Sequence, residues 1–118
     1  ELSAPDATVT VKPRCSGAFG VLVEVRNLGS APLPAGIKVD VYSGSPPSGT
    51  LLASTVTTVP LYAAQAEVLV VDLSAAPADV KSGATPVYAT ITPPSGVVEC
   101  RTDNNSSAAA SAVCSSPK

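Results

Sequence analysis

The segment Ala18-Phe19-Gly20-Val21-Leu22-Val23-Glu24-Val25-Arg26-Asn27-Leu28 places Phe19, Val21, Val23 and Val25 on one side and Gly20, Leu22, Glu24 and Arg26 on the other. A period of two is that of a half-buried strand and is incompatible with the 3.6-residue stripe of a helix. Similar alternation recurs along the chain, broken by Pro, Gly and Asn clusters every eight to twelve residues or so, which is the pattern of an antiparallel sandwich. No stretch shows helical periodicity.

Seven strands follow from this reading. The first, Ala7 to Lys12, turns Val9 and Val11 inward and stops at Pro13. The second is Ala18 to Leu28, after which Asn27 and Gly29 are expected to supply unusual backbone angles while Pro32 and Pro34 stiffen the connection. The third, Gly36 to Ser43, buries Ile37, Val39 and Val41 and exposes Lys38, Asp40 and Tyr42. Thr50 to Val59, Glu67 to Leu73, Pro86 to Thr92 and Ser106 to Val113 complete the set. The fifth, "EVLVVDL", is apolar on both faces, so it is either central in a sheet or covered by something outside the domain. The expected fold is therefore all-β, an immunoglobulin-like seven-stranded antiparallel β-sandwich spanning residues 1–118 as one domain. At this length a single core needs no metal to hold it.

Composition removes several classes of function. Charged residues make up 14% of the chain against roughly 25% in ordinary soluble domains. The seven cations are scattered singly, which leaves no footprint for nucleic acid. No apolar run reaches the ~18 residues of a membrane-spanning helix, so no membrane insertion is expected. There is no His, which excludes His-based catalytic triads and the commonest metal ligand. Asp40 and Asp72 read as solvated strand residues, and one Phe with three Tyr are too few for sugar platforms. No catalytic residue and no cofactor is expected. The chain begins at Glu1 and has no Met, as a processed secreted segment does.

Several motifs carry a family resemblance. They are Asn27-x-Gly29, then Ala35-Gly36-x-x-Val39-x-x-Tyr42-x-Gly44, then Gly49-Thr50-Leu51-Leu52, then Glu99-x-x-x-Asp103-Asn104-Asn105. Together these resemble the CARDB family, the cell adhesion related domain found in bacteria, from about Asn27 to Asn105. The resemblance implies a seven-stranded sandwich, an extracellular setting and an adhesive or spacer role without catalysis. This chain departs from the family at Ser43 and Ser45, where relatives often carry acidic residues between the third and fourth strands, which argues against a cation site there.

The densest polar stretch is "VVECRTDNN", Val97 to Asn105. Glu99, Asp103, Asn104 and Asn105 are oxygen ligands and stand as the candidate cation site, but their spacing matches no known calcium loop. Asp and Asn bonding their own backbone explain the same letters as turn chemistry ahead of a metal.

Three cysteines in a Ser/Thr/Pro-rich β chain indicate an oxidising compartment with one disulfide and one sulfur left over. With strands alternating in direction, Cys15 and Cys114 fall at the same end of the sandwich. Cys100 falls a strand length away, about 30 Å at ~3.3 Å per residue, well beyond the ~7 Å Cα limit of a disulfide. The expected pair is Cys15 with Cys114, leaving Cys100 as a half-buried thiol or as an intermolecular cross-link. The chain is thus expected to be a secreted or cell-surface structural or adhesion module acting through protein partners or self-association. The alternatives are a self-assembling subunit of an extracellular filament or surface layer, and a carbohydrate- or calcium-binding module.

Overall fold

In a computed structural model, the described residues are 6–15, 18–44, 49–92, 107 and 110–113. Among these residues six strands are present: β1 (Ala7–Pro13), β2 (Gly20–Asn27), β3 (Lys38–Ser43), β4 (Thr50–Val56), β5 (Ala66–Asp72) and β6 (Val87–Thr92). They form two antiparallel three-stranded sheets, ordered β1-β2-β5 and β4-β3-β6. The sheets pack face to face, with β1 against β6 and β5 against β4. This is the all-β immunoglobulin-like sandwich expected from the alternation.

The inward residues are those of the period-two pattern. Val21, Val23 and Val25 of β2 face Val39 and Val41 of β3, all fully buried, with Ile37, Val87, Ala89 and Ile91 in the same core. Each such side chain removed from water is worth about 1.5–3 kcal/mol, which a core lacking Trp and Met accumulates through many small, stiff pieces. Phe19 is half-buried against this core.

Four expectations are corrected. Asp40 is buried rather than solvated, because β3 is the central strand of its sheet and Ser54 and Thr90 stand directly beside it. Its carboxylate accepts from Ser54 Oγ at 2.5 Å and lies 3.8 Å from Lys38 Nζ. Second, neither Asn27 nor Gly29 takes a positive φ; Asn27 ends β2 in extended backbone, and the left-handed angles fall at Gly36, Gly44, Ala64 and Gly83. Third, a four-residue helix, α1 (Ala78–Lys81), follows Pro77 and plugs the core with Val80. Its length is about one turn, too short for any period to register.

The fourth correction concerns the seventh strand, Ser106 to Val113. Its described residues give only a bridge of Ala110 to Val87. Ser107 bonds Ala89 through its backbone N–H, and Ala110 exchanges two bonds with Val87.

Two polar side chains lock the loops to the sandwich. Thr57, buried just past β4, accepts from the N–H groups of Gly36 and Ile37 at its hydroxyl, at 3.1 and 2.9 Å. Asn27 is fully buried, and its carboxamide oxygen accepts from the N–H groups of Asp6 and Gly29. Its Nδ2 donates to the carbonyls of Ala31 and Leu61. Two acceptor and two donor positions are all used, the full capacity of the group.

Candidate interaction surface

The β5 strand is where sequence and topology disagree most usefully. Being apolar on both faces, it suits a central position, yet it lies at the edge of the β1-β2-β5 sheet. Leu69 and Val71 enter the core, whereas Val68 and Val70 stand on the outer face at 55% and 56% exposure. Among the described residues β5 is therefore an edge strand and not a central one.

Ladder geometry determines which backbone groups this edge offers. Asn27 N–H donates to the Gln65 carbonyl and Leu73 N–H to the Phe19 carbonyl. Residues of β5 in phase with 65 and 73 thus direct their backbone toward β2, and those out of phase, Val68 and Val70 among them, direct theirs away from the sheet. No other described segment bonds the backbone of Val68 or Val70. One pair of residues therefore presents exposed apolar side chains and outward-pointing N–H and C=O groups together.

The other edges are protected. On β1 the outward phase includes Pro13, which has no N–H, and Lys12 stands beside it. On β4 the pairing with β3 slips between Val41 and Tyr42, so Leu52 is bulged out of register. The outer side of β6 carries Ser107 and Ala110. The ladder of β5 to β2 is unbroken, and β5 has neither Pro nor Lys.

On the outer face the cross-strand rows are Lys12, Leu22, Val70 and Thr10, Glu24, Val68. Leu22, Val68 and Val70 make an apolar strip beside a shallow groove whose walls include Thr10, Lys12 and Glu24. Arg26 bounds the strip, its Nη2 2.6 Å from Glu24 Oε2 and its Nη1 donating to the Ala64 carbonyl at 2.9 Å. At the far end, Asp72 accepts from both the hydroxyl and the N–H of Ser74. These bonds, the hydroxyl's first, hold the Asp72 carboxyl below the ordinary carboxylate value of 3.8.

Nothing in the described residues assembles a catalytic or metal constellation. Asp40 and Asp72 lie in different sheets and do not converge. Among the described residues no three His, Cys, Asp or Glu side chains stand close enough to hold a metal ion. No described helix is long and apolar enough to cross a membrane. Ser43 is described and half-buried at the end of β3. Ser45, Glu99, Cys100, Asp103, Asn104, Asn105 and Cys114 lie outside the described residues. Cys15, two residues past β1, is exposed, and neither of the other two cysteines falls within the described residues.

The solved CARDB domain of a Pyrococcus furiosus protein, in complex with di-metal ions, has a similar structure, with a TM-score of 0.58 and 28% sequence identity. The match covers 91% of this chain and 88% of that one. The chain resembles that CARDB domain in fold over nearly its whole length. No protein-family model matches it, and no curated protein matches it at a significant level. CARDB-like domains are adhesion-related, immunoglobulin-like modules, generally non-catalytic and typically found in cell-surface proteins.

Proposed function

We propose that this CARDB-like domain is a non-enzymatic, extracellular structural or adhesion module, secreted or held at a cell surface, that acts through protein–protein contacts made by the β5 flank. The observation that carries this reading is the double exposure of Val68 and Val70, in side chain and in backbone. Exposed apolar strips mark interaction sites, and an open edge accepts an extended partner strand through main-chain bonds. The scattered cations favour neither nucleic acid nor an anionic membrane as partner.

The pairing of Cys15 with Cys114 belongs to this proposal. It would close nearly the whole chain into one loop, worth about 4 kcal/mol in the chain-entropy model. Cys100 is then the sulfur available for a cross-link to another chain. Non-reducing peptide mapping that joins Cys15 to Cys100 contradicts the assignment.

The test of function is adhesion itself. Beads coated with the domain are expected to be retained on protein-bearing cell envelopes well above albumin-coated beads, and retention no better than albumin contradicts the reading. The di-metal ions of the Pyrococcus domain favour a second reading, a cation site here built from Glu99, Asp103, Asn104 and Asn105. Calorimetric titration with calcium separates the two, since heat of binding lost in Asp103→Ala supports the cation site.

A further inference from the structure

We infer that β5 pairs antiparallel with β5 of a second copy of this chain, in the register centred on Leu69, so that two three-stranded sheets become one continuous six-stranded sheet. This rests on the β5 flank being the contact surface and names the partner that fits it.

The register follows from which backbone groups point outward. Ala66, Val68, Val70 and Asp72 share the outward phase, and only these can bond across a new edge. Centring the pair on Leu69 sets Ala66 opposite Asp72 and Val68 opposite Val70 of the other copy, pairing all four. Shifting the register by two residues either way leaves part of the edge unbonded.

The shared outer face selects the direction. A parallel pair through this same edge would turn one copy over, setting Val68 and Val70 of the two copies on opposite faces of the joined sheet and splitting the apolar strip. Glu67 and Asp72 sit near opposite ends of β5. The antiparallel pair places each acid against an apolar residue, Val71 or Ala66. It also brings Asp72 to the strand next to Ala66, whose other neighbour is Arg26. Two strand spacings, about 10 Å, separate the two backbones there, a gap that a guanidinium and a carboxylate can close.

Pairing also completes the outer surface. Leu22, Val70 and Val68 of one copy meet the same three residues of the other, and Lys12 and Thr10 form the rim at either end. The contact uses the same patch on both copies, so it closes into a dimer and does not propagate by itself. A seven-residue strand makes a narrow interface, and narrow interfaces belong to the weak class.

The experiment is sedimentation velocity on the full chain from about 10 μM to about 1 mM, paired with residue-resolved amide exchange over the same range. Reversible dimerisation is expected, with exchange at the Val68 and Val70 amides slowed about tenfold or more as the dimer fills. The Val9 and Val11 amides on the opposite edge should not respond. Val68→Pro, which removes only an outward N–H and leaves the ladder to β2 intact, should abolish the dimer. A monomer at every concentration, or a dimer whose Val68 and Val70 amides exchange as in dilute solution, overturns the proposal, and neither requires that the variant fold. If beads adhere to cell envelopes but not to each other, self-pairing alone has failed and the adhesion reading stands.

Discussion

Asn27 Nδ2 donates to the Leu61 carbonyl at 3.0 Å, joining positions 34 residues apart through one buried side chain. The same carboxamide holds the Asp6 N–H before β1 and the loop carbonyl of Ala31 after β2, and beside it Leu33 and Leu61 form a bridge. Three connections of the sandwich thus meet at one group. Asn27→Ala leaves two N–H groups and two carbonyls without this partner. At about 1–3 kcal/mol per buried unsatisfied group, partly relieved by entering water, a loss of about 3 kcal/mol is expected in chemical denaturation. Asn27→Asp keeps the acceptor but loses both donors and should also destabilise. A loss below about 1 kcal/mol for the alanine variant contradicts this role.

Thr57 is a narrower case of the same principle. Thr57→Val keeps the shape and removes the hydroxyl that serves Gly36 and Ile37, so a loss of about 1–2 kcal/mol is expected. Thr57→Ser retains the acceptor and should lose less. Equal losses in thermal or denaturant unfolding would assign the effect to the methyl group instead.

Two glycines should respond differently to a methyl group. A Cβ at Gly20 runs into the Val71 carbonyl oxygen, which the β2-to-β5 ladder fixes in place. Gly36 has a φ of +91° with open space around it. Gly20→Ala is expected to cost about 2–3 kcal/mol as overpacking, and Gly36→Ala about 1 kcal/mol as backbone strain. Unfolding midpoints in the reverse order contradict the placement of Gly20.

Asp72 provides a pH test. Its carboxyl is held low chiefly by the Ser74 hydroxyl and next by the Ser74 N–H; partial desolvation pushes it up, and Arg14 adds a weaker downward pull. A carboxyl with a folded value below its unfolded one contributes stability that is present above the unfolded value, and this is lost as pH falls through the folded value. The contribution therefore disappears on acidification below the ordinary carboxylate range and is flat at neutral pH. In an NMR titration, Ser74→Ala should move the Asp72 midpoint upward. An unchanged or lower midpoint contradicts the assigned cause.

Period-two patterning was enough to read the inward faces of β1, β2 and β3, because burial there depends only on which side a residue takes. Strand order was not legible, since it depends on non-local pairing, which accounts for one misreading and for one reading left open. Asp40 looked solvated because nothing local shows that β3 lies between β4 and β6. "EVLVVDL" was visibly unusual, but only the sheet order shows that its second apolar face is left uncovered. Asn27 was read as a turn former because the same carboxamide that suits a turn also suits a buried hub. Of the candidate site residues, Cys15 alone falls among the described ones.

The central claim is that the outer face of β5 makes the contacts. Val68→Ser with Val70→Ser alters only exposed side chains, so stability should change by no more than about 0.5 kcal/mol per site. The most direct measurement is the retention of beads coated with this double variant against beads coated with the unaltered domain, at matched loading. Retention is expected to fall about tenfold or more, the effect of removing contacts at the centre of an interface. Retention equal to that of the unaltered domain would contradict the account.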